Sequence, residues 1–170
     1  MRIYKFGGAS VKDANSIKNV VNVLKVMGHE NTLLVVSAMG KTTNAMEDVV
    51  NSYFNNKEAL PLAFQEVITY HNEILQELFD NPKHPIFEKV KSLFDEAKGF
   101  LAWNKSPKYG FVYDQVVGYG ELVSTTILST YLNEIGIVNT WLDVRDFIKT
   151  SDNYRDAQVN WEKTQEYVSQ

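Results

Sequence analysis

The sequence contains no cysteine, so it has no disulfide framework, no thiolate nucleophile and no metal site built on thiolates. It also lacks a basic patch, because 17 Lys and Arg residues stand against 21 Asp and Glu residues, for a formal net charge of −4. This balance argues against nucleic acid or a membrane surface as a partner. No apolar run approaches membrane-spanning length, and the amino terminus does not have the pattern of a signal peptide. We therefore expect a cytoplasmic globular chain.

Histidine is also scarce, and the histidines lie in different segments with no metal-ligand spacing: His29, His71 and His84. We expect surface or helix-capping roles for them and assign no metal site. No Ser/His/Asp set predicts a hydrolase. Three carboxylates near the end of the sequence could help to hold Mg²⁺, but Asp is also an ordinary turn residue, so no role is assigned to Asp143, Asp146 or Asp152.

The beginning of the chain carries the pattern of a βαβ unit. Ile3, Tyr4 and Phe6 suit a buried strand. Apolar residues then recur at helical spacing up to Gly28, which stands where a helix would end. Residues 32–37 are apolar without alternation, which is typical of a parallel strand covered on both faces.

The middle of the chain is predicted to be helical. Thr42 can begin a helix that runs toward Phe54. Two long apolar stripes, separated by Pro82 and Pro85, predict two more helices. A further single helix is expected to end near Gly136.

The end of the sequence has the pattern of an incomplete α/β domain. We expect a strand over residues 138–144, a short extended piece over 147–150 and a final helix from Trp161. Three strands are few for so much helix, and a helix in an alternating fold should lead to another strand. The sequence therefore predicts one domain that is truncated.

The most informative segment covers residues 2–11, where an apolar strand breaks into two glycines and then a helix start. Gly7 and Gly8 allow a sharp turn whose bare N–H groups can approach an anion closely. Lys5 adds a cation beside the turn, so the segment favours a phosphate site. A simple strand-to-helix turn with Lys5 in solvent would explain the same residues, and the residues alone leave both interpretations open.

Two other segments carry polar groups to places where open α/β sheets bind ligands. Ser37 ends the second predicted strand and could bind a phosphate or a carboxylate, although a serine there is also a common turn residue. Gly118 and Gly120 lie within a helical stretch, at a cost of about 1 kcal/mol each relative to alanine. Close ligand approach or close packing must offset that cost. Glu121 therefore either binds a cationic group such as an amine or lies exposed at a tight helix contact.

Taken together, four segments resemble the aspartokinases, a family with the amino acid kinase fold. Their order and spacing match the amino-terminal part of the catalytic domain over nearly the whole chain: Lys5-Phe6-Gly7-Gly8-Ala9-Ser10-Val11, Ser37-Ala38 with Thr43-Asn44, Gly120-Glu121-Leu122-x-Ser124, and Asp143-Val144-Arg145 through Thr150-Ser151-Asp152. The family usually has threonine in place of Ala9. A hydroxyl near the substrate is therefore missing, while backbone contacts through the turn should survive.

The resemblance implies a three-layer α/β/α fold with a mainly parallel central sheet and a large helical insertion. Residues 1–170 would be the amino-terminal portion of the catalytic domain, without its nucleotide-binding half and without the regulatory ACT domains. We therefore expect this fragment to be inactive, or nearly so, by itself. The parent enzyme would be cytoplasmic and homo-oligomeric.

The resemblance also implies a reaction. With Mg²⁺ present, the γ-phosphoryl group of ATP would pass to the side-chain carboxylate of L-aspartate and give 4-phospho-L-aspartate, the first step to lysine, threonine and methionine. Lys5 would be the catalytic residue, because it would neutralise charge on the transferring phosphoryl group. The expected ATP-binding residues are those of the two strand ends: Lys5, Phe6, Gly7, Gly8 and Ser37.

Thr43 and Glu121 would hold the aspartate, Glu121 by the α-ammonium group. A first alternative is another kinase of the same fold that acts on glutamate, acetylglutamate, carbamate or UMP. The Gly-Glu-Leu context of Glu121 and the long helical insertion favour aspartate. A second alternative, of a different class, is a stand-alone module that binds an anion or an amino acid without catalysis.

Overall fold

The computed structural model of the protein describes residues 1–169. A 3₁₀ turn over Gly8–Val11 follows the first strand. The strands and α-helices of the described residues are, in chain order, β1 (Arg2–Phe6), α1 (Ala14–Met27), β2 (Thr32–Val36), α2 (Thr42–Asn55), α3 (Leu60–Leu78), α4 (Pro85–Trp103), α5 (Tyr109–Val117), α6 (Tyr119–Glu134), α7 (Val144–Phe147) and α8 (Trp161–Val168).

β1, α1 and β2 form the predicted βαβ unit. The two strands pair in parallel, with Arg2 opposite Thr32. α1 begins after Asp13, whose carboxylate accepts a hydrogen bond from the backbone N–H of Ser16 at 2.7 Å. It ends at Gly28, whose φ of +84° is a conformation that glycine adopts without strain. Because the strands are parallel, their carboxyl ends meet at one edge of the sheet.

Only one face of the sheet is covered in the part of the chain that the structure describes. Side chains of alternate strand residues pack against the core: Tyr4, Phe6, Leu34 and Val36. On the other face, Ile3 is 61% exposed, Leu33 41% and Val35 45%. The expectation that both faces of β2 are covered is therefore wrong for residues 1–169.

Helices α2 to α5 form the predicted helical insertion between β2 and α6. α2 packs on α3 and α5, and α4 packs on α6. The single helix expected before Gly136 is instead two helices, α5 and α6, which meet at Gly118. Among residues 1–169, no helix combines the length and the apolar character needed to cross a bilayer.

The strand predicted over residues 138–144 does not form. The segment is irregular up to the start of α7, and Val138 is 88% exposed. Its backbone is tied to α6, because the N–H of Asn139 donates to the side chain of Asn133 at 2.9 Å. The Asn139 side chain also accepts a hydrogen bond from Ser129. A β-pattern without a neighbouring strand has no partner for its hydrogen bonds, so these side chains hold the segment in another conformation.

Candidate functional site

The double glycine builds a tight junction between the ends of β1 and β2. The N–H of Ser37 donates to the Phe6 carbonyl at 3.0 Å, and the N–H of Gly40 donates to the Gly8 carbonyl at 3.0 Å. A Cβ on Gly8 would lie only 2.8 Å from the Gly40 carbonyl oxygen, so glycine is required there. The position of a Cβ on Gly7 has no atom within 4 Å, so the Gly7 backbone faces open space. This turn can therefore receive an anion at Gly7.

Lys5 lies on the exposed face of β1, because Phe6 beside it packs inward. Its neighbour across the sheet is Val35. Within residues 1–169, no carboxylate forms an ion pair with Lys5. The ammonium group is therefore available to an external anion at the strand end that leads into Gly7.

The start of α6 contacts the chain that follows β2. The position of a Cβ on Gly120 would be 3.1 Å from Cγ2 of Thr42 and 3.2 Å from the Ala38 Cβ. The Ser124 hydroxyl donates a hydrogen bond to the Ser37 carbonyl at 2.8 Å. These contacts place the first turn of α6 against the residues that leave the sheet.

Glu121 lies in that first turn and is half-buried. Desolvation raises the pKa of its carboxyl group, and the backbone N–H groups of Glu121 and Ala38 oppose this rise by hydrogen bonding to the carboxylate. A carboxylate whose pKa is raised by burial gains from a cationic partner. The site can therefore bind an amine at Glu121.

Thr43 lies in the first turn of α2, next to a buried polar network that the sequence did not reveal. The hydroxyl of Thr42 donates to the Met39 carbonyl at 2.6 Å, and Nε2 of His71 lies 3.4 Å from that hydroxyl oxygen. Nδ1 of His71 donates to the Val67 carbonyl at 2.8 Å. The network connects the 39–42 turn to α3, so it fixes where α2 begins.

The surface or capping roles expected for the histidines are correct for two of them and wrong for the third, and His29 is exposed. His84 caps α4, because its Nδ1 accepts a hydrogen bond from the Ile86 N–H at 3.1 Å. His71 is fully buried, and burial lowers its pKa from 6.5 to about 4. A signal for this burial is present in the sequence, because His71 follows Val67 by four residues and precedes Ile74 by three on the apolar stripe of α3.

The acidic residues considered for Mg²⁺ do not converge on this site. Both carboxylate oxygens of Asp143 accept hydrogen bonds from Arg145, at 2.5 to 3.0 Å. Asp143 also caps α7, through the backbone N–H of Arg145. Asp146 and Asp152 are exposed. In the described part of the chain, no three His, Cys, Asp or Glu side chains form a group suited to a metal ion.

Two cavities are lined by residues other than those of β1 and β2. One of about 400 Å³ lies behind the 39–42 turn and is lined by Lys12, Lys41 and Tyr70, among others. The other, of about 880 Å³, lies between α5 and the α7–α8 region. Lys5 and Glu121 line neither of these two cavities.

The predicted site residues therefore come from four elements and meet at one edge of the sheet. Lys5 and the glycine turn lie at the end of β1, Ser37 at the end of β2, Thr43 at the start of α2 and Glu121 at the start of α6. A charged turn beside a half-buried carboxylate is suited to holding a phosphate and an amine close together. The arrangement is a candidate site for a small molecule that carries a phosphate or an amine.

The sequence model of the amino acid kinase family matches residues 1–170. The chain belongs to this family. Within it, the chain is similar to aspartokinases, which confirms the resemblance found in the sequence. Aspartokinase 2, chloroplastic, of Arabidopsis thaliana is 32% identical over 165 residues, which cover 92% of this chain and 29% of that protein. Bifunctional aspartokinase/homoserine dehydrogenase 2 of Escherichia coli (strain K12) is 26% identical over 148 residues, which cover 87% of this chain and 18% of that protein.

Solved structures give the same result for the fold. Aspartokinase III of E. coli matches in its T-state complex with lysine and aspartate and in its R-state complex with aspartate and ADP. Each match has a TM-score of 0.85 at 23% identity and covers 99% of this chain and 37% of the other. The predicted α/β class is thereby confirmed. The chain spans well under half the length of the relatives it matches.

Proposed function

We propose that this chain forms the phosphate- and aspartate-binding part of an aspartokinase, an ATP-dependent kinase that phosphorylates the side-chain carboxylate of L-aspartate. The amino acid kinase family and the similarity to aspartokinases support the proposal. The observation that carries it is the contact of the first turn of α6, which contains Glu121, with the end of β2, next to the strand end that carries Lys5 and Gly7.

In the proposed reaction, a side-chain carboxylate oxygen of aspartate attacks the γ-phosphorus of ATP. The bond from that phosphorus to the β,γ-bridging oxygen breaks, and the products are 4-phospho-L-aspartate and ADP. The carboxylate is already a nucleophile, so no side chain has to remove a proton from it. Catalysis then depends on in-line positioning and on charge stabilisation.

The proposed roles are those that the resemblance to aspartokinases implies, and the places of the residues support them. Lys5 offsets negative charge on the transferring phosphoryl group, and Gly7 and Gly8 offer backbone N–H groups to it. Ser37 lines the phosphate site at the neighbouring strand end. Glu121 binds the α-ammonium group of aspartate, and Thr43 contacts the same substrate. The side-chain carboxylate of aspartate then faces the phosphate turn.

Magnesium is proposed only as the ion that accompanies ATP. The carboxylates of residues 1–169 do not fit a protein-held magnesium site, because Asp143 is bound by Arg145 and no acidic group of three converges. No step is therefore assigned to the ion. We also propose a homo-oligomeric, cytoplasmic enzyme whose nucleotide-binding half and regulatory ACT domains lie outside residues 1–170. The match covers only 37% of the aspartokinase III chain, which supports the proposal that further domains lie outside residues 1–170.

The test uses the product of the complete reading frame that contains these residues, supplied with ATP, Mg²⁺ and a panel of acceptors. Hydroxylamine traps acyl phosphates, so a hydroxamate that forms with aspartate and not with glutamate or acetylglutamate supports the proposal. Preference for another acceptor would overturn the choice of aspartate. The 170-residue chain alone should give no measurable turnover in the same assay.

Lys5→Ala in the complete protein tests the phosphate site. We expect kcat to fall by about a hundred- to a thousand-fold, the usual effect of losing one preorganised charge-stabilising group. Lys83→Ala is the matched control, because Lys83 is an exposed lysine in the turn before α4. Near-normal turnover of Lys5→Ala would show that the phosphate site lies elsewhere.

A further inference from the structure

Helix α6 is joined to a backbone carbonyl at the carboxyl end of β2. Ser124 is fully buried, and its hydroxyl donates to the Ser37 carbonyl at 2.8 Å. Glu121 and Ser124 are three residues apart, so they lie on one face of α6. That face is therefore joined to the end of β2 by a buried hydrogen bond within one helical turn of Glu121.

A buried hydrogen bond from Ser124 to the end of β2 fixes the position of α6 relative to the sheet. Glu121 lies in the first turn of α6, so the same bond sets the position of that turn. The close approach of Gly120 to Ala38 shows that this turn lies directly against the residues after β2. We propose that Ser124 is a positioning residue that sets the place of the Glu121 carboxylate for the ammonium group of the acceptor. This inference rests on the proposed function, in which Glu121 binds that group.

Gly120 makes the arrangement possible, because it lets α6 come close to the residues after β2. A Cβ on Gly120 would lie 3.2 Å from the Ala38 Cβ and 3.1 Å from Cγ2 of Thr42, which is tighter than ordinary contact. Ala38 and Thr42 are both buried and cannot move aside freely. A larger residue at Gly120 would push α6 away and lengthen the Ser124 hydrogen bond. Close packing thus explains why this glycine lies in a helix.

The experiment measures steady-state kinetics of Ser124→Ala in the complete protein. We expect KM for L-aspartate to rise about fivefold to tenfold, the effect of one lost neutral hydrogen bond. kcat and KM for ATP should stay within about twofold, because the phosphate turn is unchanged. A general loss of folded protein would instead lower the apparent kcat and leave both KM values unchanged.

Two further substitutions separate the hydrogen bond from packing. Ser124→Cys keeps nearly the same shape but donates weakly, so it should raise KM for aspartate as Ser124→Ala does. Ser124→Thr keeps the hydroxyl and should restore much of the aspartate affinity, even if its extra methyl group lowers thermal stability. Gly120→Ala should also raise KM for aspartate, because the added Cβ pushes α6 away from Ala38. Adding Ala38→Gly to this variant removes the crowding, so it should lower KM for aspartate part of the way back to the wild-type value.

Ser129→Ala is the matched control, because Ser129 is on the same helix and donates a side-chain hydrogen bond of 2.7 Å to Asn139, away from the site. We expect this variant to lose thermal stability without a change in KM for aspartate. The inference is overturned if Ser124→Ala and Ser124→Cys keep the wild-type KM, or if Ser129→Ala raises it equally. If the wild-type protein does not phosphorylate aspartate, the proposed function itself fails instead.

Discussion

At the scale of single residues, the binding role proposed for Glu121 comes with a cost in stability. Desolvation raises its pKa, so the folded chain holds the carboxyl proton more tightly than the unfolded chain does. The stability linked to this group is therefore complete below the ordinary pKa and is lost as the pH rises through the raised value. The negative charge of Glu121 that would bind an amine is therefore present only at pH values above the raised pKa, and at those pH values the chain is less stable.

We therefore expect Glu121→Gln to raise the melting temperature of the 170-residue chain at neutral pH while it abolishes aspartate binding. Differential scanning calorimetry at neutral pH and at about pH 4 checks the stability, because the difference should shrink when the glutamate is protonated. Glu73→Gln, on the exposed side of α3, should show neither effect. A lower melting temperature for Glu121→Gln at neutral pH would contradict the argument.

His71 predicts how the fold responds to acid. Its pKa is 6.5 as a free side chain and about 4 in the folded chain, so the unfolded state binds its proton first as the pH falls. We expect His71 to contribute a stability loss of about 3 kcal/mol between these two pH values, at about 1.4 kcal/mol per pH unit. Denaturant titrations over this range measure the loss.

The pH dependence should be weaker in His71→Gln and unchanged in His29→Gln, because His29 is exposed. Equal pH slopes for the wild type and His71→Gln would show that other groups cause the loss. The burial of His71 was not predicted, because histidine is usually found at least partly exposed and only its place on the apolar stripe of α3 indicates burial. The sharp turn at Gly7 and Gly8 was predictable, because its pattern is contained in one short segment.

At the scale of secondary-structure elements, two glycines in open surroundings should respond in opposite ways to alanine. A Cβ on Gly99 or on Gly136 would have no atom within 4 Å. Gly99 lies inside α4, where alanine is the better helix former, so Gly99→Ala should stabilise by about 0.5–1 kcal/mol.

Gly136 follows α6 with a φ of +83°, so Gly136→Ala should destabilise by about 1 kcal/mol through backbone strain. Urea denaturation of the two variants beside the wild type measures both changes. If both variants change the free energy of unfolding by the same amount, the difference in φ between the two glycines does not determine the effect of alanine.

Periodicity predicted most helices because each apolar stripe is local to its own helix. Pro82 and Pro85 separated α3 from α4 as expected. The strand over residues 138–144 was predicted wrongly because a strand depends on a partner that its own residues do not specify. The break at Gly118 was missed for a similar reason, since apolar residues continue on both sides of it.

At the scale of the whole molecule, the uncovered sheet face is the largest departure from expectation. Leu33 and Val35 each expose about two-fifths of their surface beside Ile3. Adjacent exposed apolar residues of this kind favour association. We expect the 170-residue chain to self-associate through this face as its concentration rises.

Leu33→Thr with Val35→Thr should reduce that association and preserve the strand, because threonine suits β-structure. Sedimentation velocity over a concentration series measures the association. Leu62→Thr is the control, since Leu62 is an exposed leucine on α3, away from the sheet. Unchanged association in the double variant would place the contact elsewhere.

The α/β class and the family were predictable from four short segments because their residues, order and spacing together resemble those of one family. The contacts between those segments were not predictable. The Ser124 hydroxyl and the Ser37 carbonyl are 87 residues apart, and no local pattern predicts that pairing. Whether both faces of a sheet are buried also depends on contacts between distant parts of the chain. The apolar run of β2 therefore could not predict that one face of this sheet is exposed.

That separation of 87 residues also has a kinetic consequence. The chain between the two residues folds into α2 to α5, and helices of this kind form within microseconds from local contacts. Joining α6 to the end of β2 requires closure of the whole intervening loop, which is slower because it depends on distant contacts. We therefore expect the strand ends and the first turn of α6 to come together late in folding, after the helical insertion has formed. The residues proposed to bind the ligand would then be assembled late.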